Sequence, residues 1–197
     1  MHTPFGEGGL LDKIFTLSAQ AWPKNWTMEI FLNSGLPLVG HLNDPNFLTL
    51  KNLGQYQGDP RIMIEYRKAM RGSGEFNFNH PEDFRKFLDD NSLFCCFDYS
   101  AENWSSLTLK EAFLALVPRV KMIHLYDIKF KGGLLGMFDK NLILGKGVLE
   151  QEIIELLNYV KNKNFSGHIV LEILPFYRLA SVRKMVKRIR EILEGCE

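Results

Sequence analysis

No apolar run in this 197-residue chain approaches the roughly 18 residues that a bilayer-spanning helix requires. The opening Met-His-Thr-Pro-Phe lacks the basic and apolar regions of a secretory leader, so a cytoplasmic protein without a membrane partner is expected. Cysteine is scarce. Cys95, Cys96 and Cys196 are too few and too poorly spaced for a disulfide framework or a C-x-x-C zinc site. Because Cys95 and Cys96 are adjacent, a strand would point them to opposite faces, and buried free thiols are the expectation. An excess of charge is missing too: Lys and Arg (24) against Asp and Glu (23) leave a formal net charge of +1. No global field therefore announces nucleic acid as a partner. Residues 6–9 (GEGG) and 72–74 (GSG) carry neither a P-loop lysine nor a dinucleotide fingerprint, and no nucleophile elbow is present. Linkers and close repeats are absent as well. With 46% hydrophobic and 24% charged residues, the expectation is one domain over residues 1–197 with a sizeable core.

From residue 93 onward, short apolar runs alternate with segments of helical period, the signature of βα units around a parallel sheet. The expected strands are 93–97, 120–125 and 168–173. Thr108-Leu-Lys-Glu111 is a capping-box pattern opening a helix that Pro118 stops. A second helix carries Ile153, Ile154, Leu157 and Val160 on its buried stripe, and the closing helix, about 179–193, does so with Leu179, Val182, Met185, Val186, Ile189 and Leu193. Its Arg and Lys residues mostly face water. In the first ninety residues, 9–20 and 26–32 look helical, 36–41 and 61–65 read as strands, and 81–89 is a helix with Pro81 in its first turn. Trp22, Trp26 and Trp104 are expected to pack rather than wall a pocket, and His80 and His168 to be structural, with His168 deeper in the barrel.

Five of these strands end in an acid or a histidine: His41, Glu65, Asp98, His124 and Glu172. In a (β/α) barrel the C-terminal ends of the strands carry the active site. One such carboxylate usually satisfies a local loop, and one such histidine usually sits hydrogen-bonded in the core. Five in succession point equally to a metal site, because the rim converges them and this oxygen and nitrogen mixture suits zinc, manganese or magnesium.

These residues resemble the xylose isomerase-like barrels, which include apurinic/apyrimidinic endonucleases and many sugar isomerases and epimerases. The resemblance lies in VKMIHLYDIK at 120–129, LGKG at 144–147, GHIVLE at 167–172 and FCCFD at 94–98, and in separations of 33 residues from Glu65 to Asp98 and 26 from Asp98 to His124. It implies an α/β fold of the (β/α)8 TIM-barrel type, with Glu65, Asp98, His124 and Glu172 as the ligands of one divalent metal. His2 and His41 resemble the endonuclease histidines that would hold a second ion. Asp127, Asp139, Lys129 and Lys131 become candidate substrate-binding residues, the lysines having solvated loops as their alternative. Two departures weaken both subfamilies: Ala101 and Asn141 stand where histidines are common. A barrel of this kind takes about 250 residues, and with His2 near the end of the third strand the first two strands would be absent. The expectation is therefore an N-terminally truncated or incomplete barrel, with a homo-oligomer as one means of closure.

Three functions follow as expectations. The first is a metal-dependent sugar or sugar-phosphate isomerase or epimerase, with Glu65 and Glu172 as catalytic acid and base. The second is a two-metal phosphodiesterase acting on abasic DNA, and the third a non-catalytic remnant of such a barrel.

Overall fold

The computed structural model describes residues 37–41, 53–66, 76, 78–99, 106–129, 141–173 and 177–195. Five strands lie side by side in chain order: β1 (Leu38–His41), β2 (Ile62–Glu65), β3 (Phe94–Asp98), β4 (Val120–Leu125) and β5 (His168–Leu171). All four pairings are parallel. A parallel neighbour requires a crossover, and helices supply three of them: α1 (Pro81–Asp90), α2 (Leu109–Leu116) and α3 (Glu150–Asn162). A fourth helix, α4 (Leu179–Glu194), follows β5, and a short 3-10 turn at Leu53–Tyr56 lies between β1 and β2. Adjacent helices in the order α1 to α4 contact one another. The result is an α/β half-barrel. Among the described residues no helix is long and apolar enough to cross a membrane.

The helix boundaries follow from local chemistry. At α2, Glu111 N donates to Thr108 Oγ1 (3.2 Å) and Thr108 N to Glu111 Oε2 (2.8 Å), the reciprocal capping box expected from the sequence. Glu152 Oε2 of α3 accepts from Leu109 N (2.8 Å), satisfying another open donor of the first turn. α1 begins with Pro81, Glu82 and Asp83, which suit a helix N-terminus. α4 ends at Gly195 with φ 78°, the left-handed conformation glycine adopts without penalty.

Strand alternation separates two interiors. Ile62, Ile64, Cys95, Phe97, Ile123 and Leu125 face the helices and join Phe84, Leu88, Phe113, Leu116, Ile153, Leu157 and Met185 in the main core. Phe113 is fully buried, with its ring centroid 5.4 Å from that of Phe97 and 5.9 Å from that of Phe165. Burying such a ring is worth about 1.5–3 kcal/mol. The opposite face holds a smaller cluster of Val39, Met63, Cys96 and Met122, against which Phe94 and Val170 pack. One step further along the strands on that same face come Glu65, Asp98, His124 and Glu172.

Several details differ from the sequence reading. On α3 the fourth buried position is Leu156 rather than Ile154. On α4 only Met185 and Ile189 are buried, and Leu179 is 62% exposed, because a helix at the end of the described order packs on one neighbour and buries a narrower stripe. His168 is exposed rather than deep, for it opens β5 at the edge of the described sheet. The helices expected at 9–20 and 26–32, the three tryptophans, and Cys196 lie outside the described residues.

Candidate metal centre

Register brings the strand ends together. Glu65 pairs with Cys96, Asp98 with His124, and His124 with Val170, two residues before Glu172. Because the strands are parallel, all four C-terminal ends lie on one side, and side chains two apart share a face. His124 Nδ1 consequently lies 3.3 Å from Glu65 Oε2, 3.8 Å from Asp98 Oδ2 and 3.4 Å from Glu172 Oε2. Glu65 is 0% exposed, Asp98 7% and His124 4%. The Glu172 side chain retains 25% exposure, which places it at the mouth.

Two overlapping groups of ligand atoms result, each within 4.8 Å: Asp98, His124 and Glu172, and Glu65, Cys96 and His124. The atoms Glu65 Oε2, His124 Nδ1 and Glu172 Oε2 are buried and make no hydrogen bond. Burying polar atoms in this way is costly unless something satisfies them. Three carboxylates approach one imidazole nitrogen, in two overlapping groups, and zinc or manganese accepts oxygen and nitrogen donors of this kind. The residues therefore fit a divalent cation.

The electrostatics agree. Burial alone would drive the His124 pKa down, but Cys96, Asp98 and Glu65 outweigh it and hold the imidazolium well above its ordinary range. Burial pushes the Cys96 thiol up to about 12, against a lowering by His124. The centre thus favours positive charge.

Around these residues is a positioning scaffold that sequence reasoning missed. The Tyr126 hydroxyl donates to Asp98 Oδ1 (2.5 Å) and lies 2.9 Å from the Tyr99 carbonyl, fixing one carboxylate oxygen so that the other turns to His124. Burial, then the neighbouring Asp98 carboxylate, raises the Tyr126 pKa well above its ordinary value, so the phenol keeps its proton. The signal was available: Tyr126 stands two residues beyond His124, as Cys96 stands two before Asp98.

Asp127, expected to touch substrate, has another task. It is fully buried, and its two oxygens accept four backbone N–H groups, from Ile128 (2.9 Å), Gly145 (3.1 Å), Gly147 (2.9 Å) and Leu149 (2.8 Å). Its backbone also exchanges hydrogen bonds with Leu142. Gly147 is required here because a Cβ would collide with the Ile128 carbonyl and the Asp127 carboxylate, and Gly145 takes φ 82°. This accounts physically for the LGKG element. The loop so held carries Asn141, whose Nδ2 donates to the Glu172 carbonyl (2.9 Å). Asp127 thereby positions Glu172 through the loop.

The described residues say less of the other candidates. Lys129 is exposed. His41 closes β1 in register with Glu65. His2, Lys131 and Asp139 lie outside the described residues.

No family model and no curated protein matches the chain. Among solved structures, it is similar to a D-tagatose 3-epimerase-like protein, at 19% identity over 98% of this chain and 76% of that one, with a TM-score of 0.61. A xylose isomerase domain protein from Planctomyces limnophilus aligns at 12% identity over 86% of this chain and 93% of that one, with a TM-score of 0.39. Parallel strands in chain order, helices on one face and the first of these alignments together show that the chain has an α/β fold of the TIM-barrel type, like that of the epimerase-like protein.

Proposed function

We propose that the chain is a divalent-metal-dependent isomerase or epimerase of a sugar or sugar phosphate. The observation that carries this reading is the convergence of Glu65, Asp98, His124 and Glu172, from the ends of β2, β3 and β4 and from just beyond β5, onto His124 Nδ1. The epimerase-like solved structure with the same fold supports it. In this proposal those four side chains hold one ion, of zinc, manganese or magnesium. When bound, such an ion supplies Lewis acidity toward a carbonyl and a neighbouring hydroxyl oxygen.

The rest is the work of the chain. Isomerisation and epimerisation both take a proton from the carbon beside a carbonyl and return one elsewhere, with no net gain or loss. Glu65 and Glu172 reach His124 Nδ1 from opposite sides of β4, at 3.3 and 3.4 Å. One carboxylate removes the proton and the other returns it from the far side, a role worth roughly 10²–10⁴ in rate. Glu172, at the mouth, meets the substrate first, and Asn141 fixes its backbone. Asp98, held by Tyr126, would serve as a ligand. The buried layer of Val39, Met63, Cys96 and Met122 below excludes water from the inner side.

The test is a panel of aldoses, ketoses and their phosphates, offered with each metal in deuterated water. Product labelled at the exchanged carbon, absent with Glu172→Gln, is expected. Turnover unchanged in that variant would overturn the proposal.

A further inference from the structure

Cys96 is a buried thiol that the proposed reaction does not use. It lies on β3 two residues before Asp98, on the same face, in register with Glu65, and is 2% exposed. Its neighbour Cys95 belongs instead to the core beneath the helices. Cys96 Sγ, a Glu65 carboxylate oxygen and a His124 imidazole nitrogen lie within 4.8 Å of one another. His124 is also the member shared with Asp98 and Glu172.

Building on the metal-centre reading above, we propose that Cys96 Sγ is an additional, inner ligand of the ion, and that this sulfur makes the site select thiophilic ions such as zinc and cobalt over magnesium and manganese. Two donors on one zinc ion lie no further apart than the sum of their bonds, about 4–4.5 Å. On a tetrahedral ion the donors sit closer still, at about 3.3–3.6 Å, so three atoms that lie within 4.8 Å of one another would draw together by up to about 1 Å through side-chain torsions. A thiolate is the softest donor a protein offers, and its presence moves a site from hard ions toward zinc. When sulfur binds, the S–H proton leaves to solvent as the S–metal bond forms, so the step consumes no oxidant or reductant. A carboxylate and imidazole set without sulfur would accept manganese or magnesium readily. One residue of β3 would thus determine the metal.

The experiment is titration of the full chain with cobalt(II) alone, followed by zinc and manganese competition. The wild type should show a sulfur-to-cobalt charge-transfer band. Cys96→Ser should still bind one cobalt ion, with its d–d bands but without the charge-transfer band, and its preference for zinc over manganese should fall at least about tenfold. Cys95→Ser and Cys196→Ser should keep both band and preference. Should Cys96→Ser fail to fold, X-ray absorption of the zinc-loaded wild type reads the same point, with a sulfur shell at about 2.3 Å expected. Metal bound by oxygen and nitrogen alone overturns the role of Cys96 and leaves the metal centre standing. A folded wild type that binds no stoichiometric metal overturns both.

Discussion

Glu65 and Asp127 are both fully buried carboxylates near strand ends at the same rim, yet their surroundings are opposite. Asp127 accepts four backbone N–H groups from a loop up to 22 residues downstream. Glu65 Oε2 faces the His124 imidazole across 3.3 Å. A buried carboxylate saturated by backbone donors ties structure together. One aimed at an imidazole that two further carboxylates also approach is arranged to meet a cation. The first kind of acid holds the second in place, because the loop that Asp127 secures carries Asn141 to the Glu172 backbone.

Substitutions separate the two kinds. The largest effect is expected at the cluster: Glu65→Gln should remove metal binding. Losing a hydrogen-bond partner of a ligand already costs about 10- to 100-fold in affinity, and losing the ligand itself should exceed that. Without metal the same variant should lose less stability than Asp127→Ala, because Gln keeps the shape of the side chain and gives up only its charge pairing with His124. Calorimetric metal titration and thermal melts check both halves. Asp127→Ala should do the reverse. It strands four N–H groups and should cost about 3–5 kcal/mol, or roughly 10 °C in melting temperature, before any effect on metal is read. Equal destabilisation by the two variants would erase the contrast.

Tyr126→Phe lies between these extremes. It removes the donor to Asp98 while keeping the ring, so metal affinity should fall about tenfold with a stability change near 1 kcal/mol. The smallest effect is expected at a carboxylate in water. Asp89, 38% exposed, pairs with Arg119 at 2.5 Å, and the Arg119 hydrogen bond holds its pKa below the usual value. Its contribution is present above the unfolded carboxylate pKa and is lost as pH falls through the lower, folded one. Arg119→Ala should therefore cost less than about 1 kcal/mol at neutral pH, and denaturant melts should show the difference closing in acid.

Local patterns carried much of this in the sequence. The capping box at Thr108, the stop at Pro118 and the strands at 62–65, 94–98 and 120–125 follow from short-range rules, and the strand-end residues Glu65, Asp98, His124 and Glu172 do meet. What stayed hidden is tertiary. The donors to Asp127 arrive from Gly145, Gly147 and Leu149, which no local window around residue 127 contains. Cys96 looked like an ordinary buried thiol because its character depends on which strand lies alongside, and register with Glu65 is a property of the sheet. α4 looked wider in its buried stripe than it is among the described residues, because periodicity reports amphipathicity and not the number of neighbours a helix has.

The central claim is that four strand-end side chains hold one divalent ion. Elemental analysis of the purified, tag-free chain after incubation with zinc, manganese and magnesium, with Glu65→Ala alongside, tests it most directly. The account predicts one equivalent of metal in the wild type and none in the variant. A folded wild type without metal, or a variant that retains it, would contradict the account.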